Sequence, residues 1–245
     1  TLYLFYSSVV IGGWSESTLN YKISNDGGLT WSRSKKMVLS PFFNLTNNVK
    51  NKGLIIDADT FVLPVYHELF NKHSQLVRVE AEGGDIRYEI AKINGRGLIQ
   101  PSIIGEKDGP MTAFFRNKSK TKEKYIKAST SPDMGKTWPE PSNTPLPNPD
   151  SGFDSIRLSN GDYLMAINNS FSDRSNLALV VSKDKGKSWK ALKVLEDGPG
   201  KEYSYASINV SDNGLYHLTY TYERKRIKHI VFNEPWIRML ENGGI

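Results

Sequence analysis

Three segments of this chain are near copies of one another, and each ends in tryptophan: SNDGGLTW (Ser24 to Trp31), SPDMGKTW (Ser131 to Trp138) and SKDKGKSW (Ser182 to Trp189). The common pattern is Ser-x-Asp-x-Gly-x-Thr/Ser-Trp. Its aspartates, Asp26, Asp133 and Asp184, are spaced by 107 and 51 residues, so the longer gap is close to twice the shorter. A repeat of about 50 residues falls in the range of propeller blades, and the long gap implies one blade whose box has eroded. The box itself reads as structure. Asp bonds the backbone two residues on, Gly takes φ > 0, Ser and Thr add side-chain-to-backbone bonds, and Trp buries a large apolar surface.

Five units can be laid side by side. The first runs from Leu2 to about Leu39. The second begins near Gly53 (GLIIDADTFVLPVYHE) and fills the long gap. The third begins at Leu98, the fourth near Gly152 and the fifth near Tyr203, continuing through IKHIVF. Each of the last four holds an apolar strand, a turn and a second apolar strand. The turns are read at Asp57 to Asp59, Asp108-Gly109, Asn160-Gly161 and Asn213-Gly214, all good hairpin material. No long helical periodicity and no linker are visible. The reading is therefore all-β: a β-propeller of four-stranded antiparallel blades, occupying residues 1–245 as a single domain. Closed propellers have four to eight blades. Five are visible here, and six are expected if a blade precedes Thr1, where the chain opens on strand-like LYLFYSS without a methionine.

Composition narrows the function. There is no cysteine, which excludes disulfides and thiolate chemistry. No His/Asp/Glu cluster has metal-ligand spacing, no glycine pattern makes a phosphate loop, and no cofactor is expected. Apolar runs such as Ala178 to Val181 are too short to span a bilayer, so no membrane insertion is expected. The net charge of +6 favours an anionic partner. The basic residues are spread along the chain, which argues against nucleic acid. The densest runs, Lys118 to Lys127 and Arg224 to Lys228, read as solvated charges.

The boxes, together with LPVYHE, IQPS, NPDSGFDSIRL, EYSYASI and RIKHIVF, resemble the sialidase (neuraminidase) superfamily, in its predicted-neuraminidase branch with the bacterial neuraminidase repeat, or Asp-box. The resemblance covers essentially the whole chain. It implies an exo-acting glycoside hydrolase on an acidic terminal sugar such as sialic acid, with an acidic glycan or oligosaccharide as partner and a periplasmic or secreted location. Sialidases hold the substrate carboxylate with three arginines, attack with a tyrosine activated by a glutamate, and use an aspartate as acid/base. Planar guanidinium groups suit a carboxylate. A neutral phenol meets less repulsion than a carboxylate beside an acidic anomeric centre, and this chemistry departs from the usual two-carboxylate scheme.

Carried over by residue, the resemblance sets the second and third arginines on Arg116 and Arg174, each ahead of a box. It sets the tyrosine on Tyr203, with Tyr205 as a close alternative. The family glutamate lines up with Gln100, which cannot accept a proton. The first arginine and the acid/base aspartate are expected upstream of Thr1. Glu202, Glu68, His67 and Asp154 compete for proton transfer. Asp150, Ser151, Arg224, Arg226 and His229 are further polar residues at positions expected to face a cavity. Two other readings stay open: a carbohydrate-binding propeller that has lost hydrolysis, consistent with Gln100, and a uronate-directed lyase or glycosidase using His67 and a tyrosine.

Overall fold

The computed structural model describes residues 1–9, 16–40, 44–69, 71–106, 109–121 and 124–243. Its described residues form five antiparallel sheets in chain order, followed by one short helix. The first sheet is β1 (Leu2–Ser8), β2 (Thr18–Ser24) and β3 (Lys35–Lys36). The second is β4 (Asn47–Val49), β5 (Leu54–Ile55), β6 (Thr60–His67), β7 (His73–Glu82) and β8 (Asp85–Lys92). The third is β9 (Leu98–Gly105), β10 (Met111–Asn117), β11 (Tyr125–Ser131) and β12 (Ser142–Pro147). The fourth is β13 (Asp154–Arg157), β14 (Tyr163–Ile167), β15 (Asn176–Ser182) and β16 (Lys190–Asp197). The fifth is β17 (Tyr203–Val210), β18 (Tyr216–Tyr222) and β19 (Arg226–Phe232), and helix α1 spans Glu234–Glu241.

The chain divides into two compact units. One comprises Thr1–Pro101, Glu106–Met111 and Ser129–Pro141, and the other Ser102–Gly105, Thr112–Ala128 and Ser142–Ile245. In the first unit, Leu19, Tyr21 and Ile23 of β2 pack with Leu63, Val65, Val77 and Val79 of β6 and β7. In the second unit, one cluster joins β14, β15, β17 and β18 through Leu164, Leu179, Ile208 and Leu218. A neighbouring cluster centres on Phe114, Phe153, Tyr163 and Met165. Strands with both faces covered, such as β10 (MTAFFRN) and β14 (YLMAI), read as continuous apolar runs and are wholly buried. The outermost β8 (DIRYEIAK) alternates between half-buried and exposed positions.

Two features differ from the sequence reading. The second sheet begins at Asn47 rather than near Gly53, because its inner strand is broken into β4 and β5, both paired to β6. Between them Asn51 turns inward, and its amide donates to the Pro101 carbonyl at 2.9 Å. The second difference is α1, too short for a periodicity to show. Its signal is capping chemistry: the Asn233 side chain accepts from the Trp236 N–H at 3.0 Å, and a proline stands in the first turn. Ile237 and Leu240 are its buried face. Glu234 accepts from the Ser159 N–H at 2.7 Å and from the Tyr216 hydroxyl at 2.8 Å, which pins the helix to the fourth and fifth sheets. The turns at Asp57, Asn160 and Asn213 stand where the sequence puts them, and Asp108 lies outside the described residues.

The three boxes share one hydrogen-bond pattern. In the third, the Ser182 hydroxyl donates to Asp184 at 2.8 Å and accepts from the Gly186 N–H at 2.8 Å. Asp184 takes the Ser188 N–H and hydroxyl at 2.8 and 2.6 Å, and the Trp189 indole donates to the Gly186 carbonyl at 3.0 Å. Ser131, Asp133, Gly135, Thr137 and Trp138 repeat this, as do Ser24, Asp26, Gly28, Thr30 and Trp31. Bonds from the Thr or Ser hydroxyl, reinforced by its N–H, hold all three aspartate carboxyls down at about 2.

Gly186 has φ +89°, and a Cβ there would meet the Phe114 ring at 3.0 Å. Gly186→Ala is therefore expected to cost about 1–3 kcal/mol in urea unfolding. The box carboxyls add stability that is complete above their ordinary value of 3.8 and is lost as pH falls toward about 2. Melting temperature measured from pH 5 to pH 2 is expected to fall across that window, and less steeply in an Asp133→Asn, Asp184→Asn variant.

Candidate functional site

Arg116 closes strand β10 and is only 5% exposed, so its charge needs a partner in place. Asp150 is that partner: the Arg116 Nε donates to its Oδ1 at 2.8 Å. Asp150 stands in the loop between β12 and β13 with φ +58°, a left-handed conformation that a non-glycine residue rarely adopts. Asn148 holds the loop in shape, donating to the Ser151 carbonyl at 2.9 Å and accepting from the Asn117 N–H at 3.2 Å. The residue next to Arg116 is thereby tied to the loop that carries its counter-charge.

Arg174 lies in the connection between β14 and β15. Its Nη2 donates to the Asp150 carbonyl at 2.6 Å and its Nη1 to the Glu202 carboxylate at 3.1 Å. The connection is fastened to β17 twice over. The Tyr203 N–H donates to the Arg174 carbonyl at 2.8 Å, and the Asn168 amide donates to the Tyr203 carbonyl at 2.7 Å. The Arg174 guanidinium sits 5.6 Å from the centre of the Tyr205 ring, within cation–π range. The two arginines hold different blade positions, one at the end of a strand and one in a connection. Their common placement ahead of a box is a matter of sequence order alone.

Glu202 is the second internal carboxylate. It takes Arg174 on Oε1, the Ser204 hydroxyl on the same oxygen at 3.1 Å, and Arg224 on Oε2 at 2.6 Å. Burial pushes its carboxyl up, while the Arg224 and Ser204 bonds and the Arg174 charge outweigh this and leave it below the usual glutamate value. It is ionised at neutral pH and weakly basic, which suits it to holding cations better than to taking a proton. Arg116, Asp150, Arg174, Glu202 and Arg224 thus form one connected chain within the second unit, made of ion pairs except where Arg174 meets Asp150 at its backbone carbonyl.

The two tyrosines part company. Tyr203 is 2% exposed, packs edge-on against Tyr222 at 5.2 Å, and burial pushes its phenol up. A Cβ on Gly198 would stand 2.8 Å from its hydroxyl, so it is a packing residue. Tyr205 is 41% exposed, with φ +56°, because the register of β17 against β18 breaks between Ser204 and Ser207. That bulge turns the ring out beside Arg174. The sequence reading sets Tyr203 first with Tyr205 as the close alternative; of the two, Tyr205 is the exposed one.

The other candidates lie elsewhere. Asp154 is 1% exposed. Its Oδ1 accepts from the Ser102 hydroxyl at 2.8 Å and the Ser155 N–H at 2.9 Å, and its Oδ2 from the Ile208 N–H at 3.0 Å. It ties inner strands together and presents no carboxylate to a ligand. His67, Glu68 and Gln100 belong to the first unit. His67 lies 2.6 Å from the Thr46 hydroxyl, and burial, then the nearness of His73, holds its imidazole below the usual value. Strand β6 ends at His67, and Glu68 lies 3.8 Å from Lys72. The Gln100 amide donates to the Tyr66 hydroxyl at 3.4 Å. Among the described residues no group of three or more His, Cys, Asp or Glu side chains is arranged to hold a metal ion.

A repeat at or just ahead of the inner strands escaped the sequence reading. Thr46, Gln100, Asp150 and Tyr205 all have positive φ, between +48° and +65°. They head the segments TNNV, QPSI, DSGF and YASI, each with an apolar residue at its fourth position. Four successive blades therefore bend the chain at the same place and offer a polar side chain there. Short polar residues ahead of an apolar one were the only sign of it in the sequence.

The profile of the BNR repeat-like domain matches residues 1–218. No curated protein matches the chain. Among solved structures, the NanB sialidase of Streptococcus pneumoniae superposes with a TM-score of 0.69 at 17% identity, covering 89% of this chain and 36% of that one. The intramolecular trans-sialidase of Ruminococcus gnavus gives 0.70 at 20% identity over 91% of this chain and 51% of that one. An alpha-L-arabinanase of Penicillium chrysogenum gives 0.66 at 13% identity over 95% and 71%. The chain thus spans between about a third and a half of the two sialidases. At these identities the likeness is one of fold, the sialidase-like β-propeller.

If Asp154 is a tie between strands, Asp154→Ala strands buried donors and is expected to lower stability by about 2–4 kcal/mol in urea unfolding. Tyr203→Phe is expected to change stability by less than about 1 kcal/mol in the same measurement.

Proposed function

We propose, since this chain belongs to the BNR repeat-like domain family, that its second unit recognises the carboxylate of an acidic terminal sugar such as sialic acid, as part of a sialidase-like glycoside hydrolase. The observation that carries this reading is the pairing of Arg116 and Arg174 through Asp150, with the Arg174 guanidinium beside the exposed Tyr205 ring. Two guanidinium groups held by fixed partners are pre-organised for a planar anion, and the ordering cost is met before the ligand arrives. Tyr205 then stands where the sugar ring of such an anion would lie, and takes the role of tyrosine nucleophile ahead of Tyr203. Attack by the phenol oxygen on the anomeric carbon forms a C–O bond as the glycosidic bond breaks. The phenol proton passes to a base and the leaving oxygen takes a proton from an acid.

A second reading is favoured by Gln100. It stands where the resemblance expects the family glutamate, and its amide cannot take a proton; within the second unit the carboxylate of Glu202 is held weakly basic by two arginines. In that reading the site binds acidic sugar without turnover. The uronate-directed chemistry through His67 has less support, because that imidazole is engaged by Thr46.

Free sialic acid is expected to bind at least about tenfold more tightly than its methyl ester, and Arg174→Lys, which keeps the charge and loses the fork, to remove most of that difference. Equal affinity for acid and ester would overturn the assignment. Release of fluorophore from a fluorogenic sialoside, abolished by Tyr205→Phe and unaffected by Tyr203→Phe, separates the hydrolase from the binding module.

A further inference from the structure

The chain has four histidines, and the fold sorts them into two cross-strand pairs: His67 with His73 in the second sheet, and His217 with His229 in the fifth. The second pair is engaged with itself. The His217 Nδ1 lies 3.0 Å from the His229 Nε2, and the ring centres are 5.2 Å apart with planes within 15°. That separation is the nitrogen gap plus one ring radius at either end. The rings therefore meet end to end, one nitrogen giving a proton and the other accepting it.

The first pair is built differently. His67 ends β6 and His73 opens β7, and the two stand directly opposite in the ladder, so their side chains share one face of the hairpin. Each ring turns a nitrogen to an oxygen of the chain. The His73 Nδ1 lies 2.8 Å from the Asn71 carbonyl. The His67 Nδ1 lies 2.6 Å from the Thr46 hydroxyl, which also stands 3.0 Å from its Nε2. A carbonyl only accepts, so the His73 Nδ1 carries the proton and its Nε2 is left with a lone pair. The Thr46 oxygen can accept at the His67 Nδ1 in the same way. An N–H given to an oxygen on one side and a lone pair on the other is the arrangement that orients histidines toward a metal ion.

The spacing of the rings agrees. A tetrahedral ion that holds two imidazoles by bonds of about 2.0–2.1 Å sets their centres about 5 Å apart. Here the centres are 5.1 Å apart. Gln75, on the same strand as His73, adds an independent sign. Its side-chain oxygen is buried with no hydrogen-bond partner among the described residues, and its amide nitrogen is 3.5 Å from the His73 Nε2, at the limit of a bond. A water on an ion beside His73 would give that oxygen its donor. Both rings are half-buried and reachable from solvent. Burial, then the nearness of His73, keeps the His67 imidazole neutral at neutral pH, so it can ligate without first losing a proton.

We infer that His67 and His73 form a binding site for a divalent transition-metal ion such as Zn²⁺, held by their Nε2 atoms and completed by water, at the end of the β6–β7 hairpin. Imidazole donors favour Zn²⁺, Ni²⁺ or Cu²⁺ over Mg²⁺, which takes oxygen ligands. The site lies in the first unit and is independent of the proposed sugar site.

The full chain, stripped with EDTA and returned to plain buffer, is titrated with Zn²⁺ and separately with Mg²⁺ in a calorimeter, and melted with each ion. One Zn²⁺ per chain is expected, with a raised melting temperature in Zn²⁺ and no response to Mg²⁺. His67→Gln and His73→Gln are each expected to weaken Zn²⁺ binding at least about tenfold, while His229→Gln binds as the parent does. A parent that takes up no stoichiometric Zn²⁺ overturns the proposal. So does binding kept within about twofold in His73→Gln, or lost in His229→Gln. Where a variant of the first pair does not fold, imidazole NMR of the parent decides. The signals of His217 and His229, identified by their loss in His217→Gln and His229→Gln, are expected to stay in place on adding Zn²⁺ while the other two move. Movement of the His217 and His229 signals instead overturns the assignment.

Discussion

One buried carboxylate joins the inner strands of three successive blades. Asp154 receives a hydroxyl from β9, a backbone N–H from its own strand β13 and a backbone N–H from β17. A charge taken out of water costs several kcal/mol unless its oxygens are occupied, and here both oxygens are. The same strand entrances carry Asp150 and Tyr205, so the geometry of the arginine cluster is inherited from this tie. The Ser102 hydroxyl adds a second link, accepting from the Ser155 N–H at 3.0 Å. Polar groups in the middle of the second unit therefore set strand register where apolar packing alone would allow sliding.

The charged cluster built on this frame solves an electrostatic problem within the fold. Guanidinium groups gathered in one place repel each other, more so where water is partly excluded. Asp150 and Glu202 are interleaved between them, so each positive group has a negative neighbour. The arrangement is internally satisfied, each guanidinium holding a carboxylate of the chain itself.

Much of the fold could be read from residues because its signals are local. The boxes depend on contacts within eight residues, and the hairpin turns on two or three. The broken inner strand of the second sheet was hidden because it depends on Asn51 reaching the Pro101 carbonyl about fifty residues away. Helix α1 was hidden by its shortness, and only its cap gave a sign. For the candidate site, family resemblance pointed to Arg116 and Arg174, which the structure links through Asp150, whereas the different surroundings of Tyr203 and Tyr205 were not legible. Alternation along a strand gives both tyrosines the same face, and a bulge separates them.

The left-handed bends at Thr46, Gln100, Asp150 and Tyr205 hold four unrelated side chains in one backbone shape. Direction is set there by the main chain, and chemistry by whatever residue occupies the address. A propeller made in this way can exchange a hydroxyl, an amide, a carboxylate or a phenol at each address without rebuilding its sheets. New side-chain chemistry then becomes accessible at each address through a single codon change, with the architecture passing through the change intact.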